Sequence, residues 1–329
     1  MEDKHQRTID YLRISLTDRC NLRCVYCMPE EGVCSIPHEH ILSLEEIETV
    51  VKQAAKLGVK HIRLTGGEPL VRKGVIGLVH AISCTPGIES VALTTNGILL
   101  PQFAHSLKEA GLSRINISLD TLDEEKYRAI TRRGELSAAL DGIKTALDVG
   151  FDPVKINAVA VRSFQQDYFA FAQKTIDAPL HVRFIEFMPI GGKDTSWGTE
   201  EVVSAQEIMN CINERALLAG MQALEPAGDH APTGWGPARS YRLPGAQGTV
   251  GFISSLSNHF CASCNRIRLT ADGKLKPCLF SSEEVDVRSA LRHGTENDAG
   301  DALARVIQSK PEGHKHHVGT ARTMSQVGG

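Results

Sequence analysis

Short runs of apolar residues recur along the first 187 residues, and segments with helical periodicity separate them. Six of these runs are predicted to be β-strands, at 11–16, 61–65, 90–95, 114–119, 154–161 and 181–187. The segment after the first loop is typical of the helices between them. Ser43 and Glu46 have the spacing of a capping box, apolar residues follow at helical spacing, and Gly58 stands where a left-handed cap is expected. Less well capped helical patterns occupy about 74–83, 101–110, 137–149 and 165–176. Repeated βα units predict a parallel sheet covered by helices.

The positions of unusual residues distinguish two parallel folds, a doubly wound open sheet and an incomplete barrel. A cysteine-rich loop follows the first predicted strand, and the segments GGEP, TTNG, SLD and EFMP close or follow later strands. Candidate functional residues at the carboxyl ends of nearly every strand are typical of a barrel, whereas an open sheet concentrates its functional residues at one switch point. We therefore predict an α/β fold built on an incomplete, TIM-like (βα)6 parallel barrel.

The character of the chain changes after about residue 191. Loops rich in Gly and Pro flank one helical pattern near 204–219, and short strand-like runs follow from residue 241. The segment ADGK is typical of a hairpin turn. These features predict a small, mostly antiparallel C-terminal module. We place the boundary near residue 225, which gives domains at 1–225 and 226–329.

Composition and charge exclude several classes of protein. The chain has 329 residues, 42% of them hydrophobic, and its net charge of −3 arises from 36 basic and 39 acidic residues that are interspersed. This balance argues against a nucleic-acid-binding or membrane-binding surface. The polar N-terminus lacks the apolar run of a signal peptide, and no segment approaches the roughly 18 apolar residues of a spanning helix. We expect a cytoplasmic protein, in which clustered cysteines are better interpreted as metal ligands than as disulfides.

The first cysteine cluster, CNLRCVYC, contains Cys20, Cys24 and Cys27. This spacing is compact enough for three thiolates to converge on one metal group. A structural zinc ion takes four protein ligands, so three thiolates favour an iron–sulfur cluster with one iron open to a ligand. A zinc site that borrows one distant ligand is the alternative.

The second cysteine cluster contains Cys261, Cys264 and Cys278, again three thiols. Taken alone it fits zinc equally well, because His259 could supply a fourth ligand. The first cluster upstream favours a second iron–sulfur cluster.

Basic residues near the second cluster indicate an anionic ligand. Arg266 and Arg268 are two apart in a predicted strand and share a face, with Ile267 on the other. Arginine binds phosphate through two hydrogen bonds, although such a pair often lies on a solvated face. Lys155 lies inside a predicted barrel strand, where a buried ammonium is costly unless an anion meets it.

Several segments together resemble a known family. CNLRCVYC resembles the CxxxCxxC signature of the radical S-adenosylmethionine (SAM) enzymes, and GGEP resembles their glycine-rich segment. With RLTGGEPLVR, LTTNG, RFIEFMP, CASCNRIRLTADGKLKPCLF and the terminal diglycine, nearly the whole chain resembles the radical SAM enzymes that cyclise GTP in molybdenum cofactor biosynthesis.

The resemblance implies cofactors, a reaction and site residues. It implies SAM, two [4Fe–4S] clusters, and the conversion of GTP to its 3′,8-cyclised product by a radical that takes a hydrogen atom from ribose C3′. The implied ligands of the SAM cluster are Cys20, Cys24 and Cys27, and those of the second cluster are Cys261, Cys264 and Cys278. The implied SAM contacts are Tyr26, Gly67, Ser118 and Met188. The implied GTP-binding residues are Arg13, Arg63, Thr94, Lys155, Arg266, Ile267 and Arg268. Gly328 and Gly329 are implied to act in catalysis.

The resemblance also implies partners. We expect a downstream cyclic pyranopterin monophosphate synthase of the MoaC type, an electron donor and a homodimer, and we expect no nucleic acid and no membrane as partners. Two alternatives remain at this stage. One is a peptide-modifying radical SAM enzyme with an auxiliary cluster, and the other is a non-enzymatic iron–sulfur or zinc regulator.

Overall fold

All strands belong to one sheet in this computed structural model, which describes residues 1–33, 36–190, 197–314, 320 and 322–328. Strands β1 to β12 are Tyr11–Ser15, His61–Thr65, Ser90–Thr95, Arg114–Ser118, Val154–Ala160, Leu180–Glu186, Glu225–Pro226, Arg239–Arg242, Thr249–Ile253, Arg266–Leu269, Lys274–Lys276 and Val285–Asp286. Helices α1 to α10 are Leu44–Lys56, Val75–Ser83, Leu100–Glu109, Glu124–Thr131, Leu136–Asp148, Tyr168–Gln173, Ala205–Leu218, Val287–His293, Glu296–Gln308 and Met324–Val327.

The order of the strands identifies the parallel fold. Strands β1 to β6 lie side by side in chain order and pair in parallel. A doubly wound sheet would reverse its strand order at an internal switch point. The prediction of a barrel-type sheet is therefore confirmed.

The predicted local signals for α1 are confirmed. The Ser43 side chain accepts a hydrogen bond from the Glu46 amide at 3.1 Å, and the Glu46 carboxylate accepts one from the Ser43 amide at 2.7 Å. Gly58 has φ +91°, a left-handed conformation that glycine adopts without strain. The helix thus begins at a side-chain cap and ends at a left-handed glycine.

The strands after residue 225 join the barrel sheet. Strand β9 pairs in parallel with β6, and β10 pairs in parallel with β1, so both extend the barrel sheet at its edges. Strands β7 and β8 continue antiparallel beyond β9, and β11 and β12 continue antiparallel beyond β10. The predicted hairpin turn between β10 and β11 is confirmed. Because one sheet crosses residue 225, the domain boundary there stays a prediction.

The strands and the inner faces of the helices form one large hydrophobic core. Helix α9 packs against α1, and α3 packs against α5. Helices α4, α8 and α9 were not among the predicted elements. Among the described residues, no helix has the length and apolar character needed to cross a membrane.

Candidate active site

One cavity at the carboxyl ends of the barrel strands is lined by both cysteine clusters. The first cluster lies in the loop after β1, and the second lies between β9 and β10 and directly after β11. Strands β10 and β9 flank the two ends of the β1–β6 sheet. The fold therefore brings residues from distant parts of the chain to one space. The lining cysteines are Cys20, Cys24, Cys27, Cys261, Cys264 and Cys278.

The first cysteine cluster lies in an environment that keeps its thiols protonated. Burial is the main cause that raises the pKa of Cys24 well above its ordinary value, and the neighbouring Cys27 and Asp120 add to it. Burial, with Cys20 and Asp120, raises the pKa of Cys27 to about 12. A metal group that binds these sulfurs must therefore displace protons.

The second cysteine cluster lies in a cationic environment. Burial alone would raise the pKa of the Cys264 thiol, but the charges of Arg266 and Lys310, with hydrogen bonds from Arg266, lower it to about 7. Cys264 is therefore partly ionised at neutral pH before any metal binds. The two thiol clusters differ in the charges around them, although their numbers of thiols are equal.

The number of thiols fits iron–sulfur clusters better than single zinc ions. Each cysteine cluster brings three thiols to the cavity. A structural zinc ion takes four protein ligands, whereas a four-iron cluster on three thiolates keeps one iron open. His259, the alternative fourth zinc ligand, has its Nδ1 2.9 Å from the Ser255 carbonyl oxygen and its ring against His314.

The GGEP segment binds the loop that leads to the first cluster. The Gly67 amide donates to the Thr17 carbonyl at 2.7 Å, and the Glu68 amide donates to the Arg19 carbonyl at 2.8 Å. A Cβ atom on Gly67 would lie 2.2 Å from the Arg19 carbonyl oxygen. Glycine is needed here because two backbones approach closely, a reason that the sequence alone did not indicate.

The four predicted SAM contacts, Tyr26, Gly67, Ser118 and Met188, all line the cavity. The Tyr26 hydroxyl donates to the Asp120 carboxylate at 2.7 Å. The other Asp120 oxygen accepts from the Val159 amide at 2.9 Å, and burial raises the pKa of Asp120 to about 6. Asp120 was not predicted as a site residue, although it belongs to the SLD segment that closes β4.

The predicted GTP-binding arginines form a cationic layer. Arg268, Arg13 and Arg63 are in register on the adjacent strands β10, β1 and β2. Arg63 donates to the Thr94 hydroxyl at 3.2 Å and also to the Tyr11 hydroxyl. Burial, reinforced by the charge of Arg266, lowers the pKa of Arg268 to about 10. Adjacent buried cations of this kind indicate a polyanionic ligand.

Of these residues, Arg13, Thr94, Arg266 and Arg268 line the cavity itself. Ile267 does not, because its side chain packs in the hydrophobic core and is fully buried there. The structure therefore separates Ile267 from the arginines on either side of it.

A second group of cations lies deeper in the barrel. Lys155 on β5 is 6% exposed, and its ammonium donates to the Thr233 carbonyl at 2.8 Å. Burial, with the charges of Arg183 and Arg114, lowers its pKa to about 6. Arg183 on β6 was missed by sequence reasoning. It is buried, its pKa is lowered to about 9 by burial and by Arg63, and its Nε has no hydrogen-bond partner among the described residues. A cation inside a predicted barrel strand was the available signal, and the same argument supported Lys155.

The C-terminal tail enters the same cavity. Met324 and Ser325 line it, and Arg268 Nη1 donates to the carbonyls of Val327 at 3.2 Å and of Gly328 at 2.8 Å. A Cβ atom on Gly328 would lie 2.8 Å from the Thr65 methyl group. Gly329, predicted to act with Gly328, lies outside the described residues.

Comparisons with known proteins agree with these features. Residues 14–171 match the model of the Radical SAM superfamily, and residues 180–316 match the model named Molybdenum Cofactor Synthesis C. The chain is 55% identical over 333 residues to a GTP 3′,8-cyclase of Pelotomaculum thermopropionicum, and 50% identical over 335 residues to one of Alkaliphilus metalliredigens. These alignments cover 100% of this chain and 100% of each relative.

Two solved structures share the fold. One is native anSMEcpe with bound AdoMet, with a TM-score of 0.61 and 16% identity over 92% of this chain and 81% of that one. The other is Streptococcus suis SuiB bound to precursor peptide SuiA, with a TM-score of 0.60 and 17% identity over 94% of this chain and 67% of that one. At these identities the likeness concerns the fold alone.

Proposed function

Because the chain belongs to the GTP 3′,8-cyclase (MoaA) family of radical SAM enzymes, we propose how its residues hold the reactants of that reaction. The enzyme is a lyase that converts GTP to (8S)-3′,8-cyclo-7,8-dihydroguanosine 5′-triphosphate, the first step of molybdenum cofactor biosynthesis. It uses SAM and two [4Fe–4S] clusters. The observation that carries the assignment of residues is that both cysteine clusters and the arginines Arg13, Arg266 and Arg268 line one cavity.

Cys20, Cys24 and Cys27 would hold the first cluster, because three thiols fit a four-iron cluster that keeps one iron open to another ligand. With SAM bound there, this cluster supplies the one-electron cleavage of SAM that starts the reaction. Tyr26, Gly67, Ser118 and Met188 would contact SAM, since all four face the space beside these cysteines. Asp120 would fix Tyr26 through their hydrogen bond, so that the aromatic ring keeps one position.

Cys261, Cys264 and Cys278 would hold the second cluster, whose open position would take the guanine base of GTP. The triphosphate would be bound by the cationic layer and the deeper cations, which are Arg13, Arg63, Thr94, Lys155, Arg266 and Arg268, with Arg183 as an addition from the structure. Ile267 would contribute through its place in the strand rather than by its buried side chain. The protein thus acts by positioning: a substrate fixed at its base and at its phosphates presents one ribose face to the SAM side of the cavity.

The tail would complete the site. The carbonyls of Val327 and Gly328 lie on Arg268, so the tail and the substrate phosphates contact the same guanidinium group. This supports a catalytic role for Gly328, and we extend the role to Gly329.

Further parts of the function are proposals of the same kind. The product needs a cyclic pyranopterin monophosphate synthase of the MoaC type, and the electron balance of SAM cleavage needs an electron donor. We also propose a cytoplasmic location, a homodimer, and residues 226–329 as the unit that supplies the second cluster and the tail.

A peptide-modifying radical SAM enzyme is the alternative that shares the fold. Arg13, Arg266 and Arg268 line the cavity, and Arg183 and Lys155 are buried on the barrel strands β6 and β5. A peptide substrate gives no reason for that density of charge, whereas a triphosphate does. A non-enzymatic regulator would leave the GGEP segment and the SAM-facing residues without a role.

Anaerobic incubation of the reconstituted protein with SAM, a reductant and GTP tests the proposal. We expect 5′-deoxyadenosine and the cyclised nucleotide in equal amounts, and about eight irons per chain. Deoxyadenosine without any GTP-derived product, or zinc in place of iron and sulfide, would overturn it.

A further inference from the structure

Lys310 is a buried lysine beside the second cysteine cluster, and the sequence pattern gave no sign of it. It follows helix α9, is 2% exposed and lines the cavity. Its ammonium donates to the Arg266 carbonyl at 2.7 Å and to the Pro277 carbonyl at 2.9 Å. Pro277 directly precedes Cys278, and Arg266 follows two residues after Cys264. The ammonium therefore joins the two backbone segments that carry these cysteines.

The same cavity wall carries the cysteines themselves. Lys310, Cys264 and Cys278 all line the cavity, and the Lys310 ammonium interacts electrostatically with both sulfurs. Since burying an ammonium is costly unless negative charge meets it, the charge on the sulfurs and on the group they hold is its counterpart.

The first cysteine cluster has a different set of neighbours. The charged side chains that act on Cys20 are Glu68 and Arg23. Apart from the other thiols, Asp120 is the charged side chain that acts on both Cys24 and Cys27. A change at Lys310 should therefore affect one cluster and leave the other as an internal reference.

The charge at Lys310 has a consequence for electron transfer. Reduction adds one negative charge to an iron–sulfur cluster, and a nearby cation or an N–H···S hydrogen bond stabilises that charge and raises the reduction potential. We propose that Lys310 is the positioning residue and counter-cation of the second [4Fe–4S] cluster, and that its charge holds the reduction potential of that cluster above the value the cysteines alone would give. This rests on the proposed function, because it requires a cluster on Cys261, Cys264 and Cys278.

The test compares anaerobically reconstituted wild type with Lys310→Gln, Lys310→Arg and the control Lys274→Gln. Lys274 lies on the adjacent strand β11 and pairs with Asp286 at 2.6 Å, so the control removes a lysine charge from the same hairpin. Iron content and a redox titration followed by electron paramagnetic resonance are measured in the absence of GTP. Wild type that holds only four irons would refute the second cluster itself, and with it the proposed function, before the variants are compared.

For Lys310→Gln with both clusters present, we expect the midpoint of the second cluster to move to more negative potential while the first stays unchanged. Lys310→Arg and Lys274→Gln should stay near wild type. An unchanged second midpoint in Lys310→Gln, or an equal shift in Lys310→Arg, would overturn the proposal. Lys310→Gln could instead lose the second cluster. In that case, a second cluster retained in Lys310→Arg supports a role of the charge. A second cluster lost in Lys310→Arg as well shows that only the packing of lysine matters and refutes that role.

Discussion

Lys155 offers a prediction in which stability and substrate binding change in opposite directions. Its ammonium is buried beside Arg183, Arg114 and Arg63, and it donates to the Thr233 carbonyl. Burial first, and then these like charges, lower its pKa from 10.5 to about 6. Without a bound anion the folded protein therefore disfavours a charge that the unfolded chain keeps at neutral pH. We expect Lys155→Met to stabilise the substrate-free protein and to weaken GTP binding.

The magnitude follows from the pKa and its direction. Each tenfold change in a protonation equilibrium corresponds to about 1.4 kcal/mol, so suppressing the Lys155 charge at pH 7 costs the folded state several kcal/mol. Methionine removes this cost but also removes the charged hydrogen bond to the Thr233 carbonyl, which keeps Arg114 as its other donor; the lost bond offsets roughly 1–3 kcal/mol. We expect a net stabilisation of about 1–3 kcal/mol. The penalty in wild type is fully present below pH about 6 and declines as the pH rises towards 10.5, so the advantage of the variant shrinks in the same direction.

Thermal unfolding without GTP, and calorimetric titration with GTP, measure both effects. A charged hydrogen bond to phosphate contributes about 1.5–3 kcal/mol, so GTP should bind roughly 10- to 150-fold more weakly to Lys155→Met. Wild type should also take up a proton on binding GTP near pH 7, because the triphosphate raises the Lys155 pKa, and the variant should lose this part of the uptake. Lys52→Met, at an exposed lysine of α1, is the control and should change neither quantity. A destabilised variant that binds GTP as tightly as wild type would refute the reasoning.

Three further predictions concern the clusters, the phosphates and the tail. Cys24→Ala should lower the iron content by about half and abolish cleavage of SAM to deoxyadenosine; normal deoxyadenosine production would contradict the role of this cysteine. Arg266→Ala should weaken GTP binding by roughly 10-fold or more while deoxyadenosine still forms without cyclised product, and unchanged affinity in equilibrium binding would count against a phosphate contact. Arg322, near the C-terminus, donates hydrogen bonds to the carboxylates of Asp272 and Glu284, which lie in the loops before and after β11. Arg322→Met should therefore release the tail, which hydrogen exchange of the last residues would detect, with iron content unchanged; full protection of the tail would exclude an anchoring role.

The sequence predicts the barrel strands well because each is a short buried run followed by a motif with its own chemistry. All six predicted strands agree with β1 to β6 to within a residue at each end. Strand-like runs were predicted where β9 and β10 lie in the sequence, but their neighbours in the sheet could not be predicted. Pairing with β6 and β1 depends on contacts across most of the chain rather than on local pattern. Their parallel pairing brings the second cysteine cluster to the barrel cavity.

The residues missed at the site have a common physical cause. Arg183 and Lys310 act through burial and through neighbours that are distant in sequence. Arg183, like Lys155, is a cation inside a predicted barrel strand, so the sequence did carry a signal for it. Lys310 follows a helix that was not predicted and lies in no motif, and its role depends on two carbonyls more than 30 residues away. No local pattern could have indicated it.

The charges of the cavity also indicate why each ligand of the proposed reaction belongs at its own cluster. SAM carries a positive sulfonium, and the charges that act on the cysteines of the first cluster are those of Glu68 and Asp120 with a single arginine, Arg23. GTP carries several negative charges, and the second cluster has Arg266 and Lys310 beside Cys264. Exchanging the two ligands would place the triphosphate near buried carboxylates and the sulfonium near buried cations, and both arrangements are unfavourable at short range in a poorly solvated cavity. The difference in charge between the two sides therefore orients the reactants before any base or ribose contact is made.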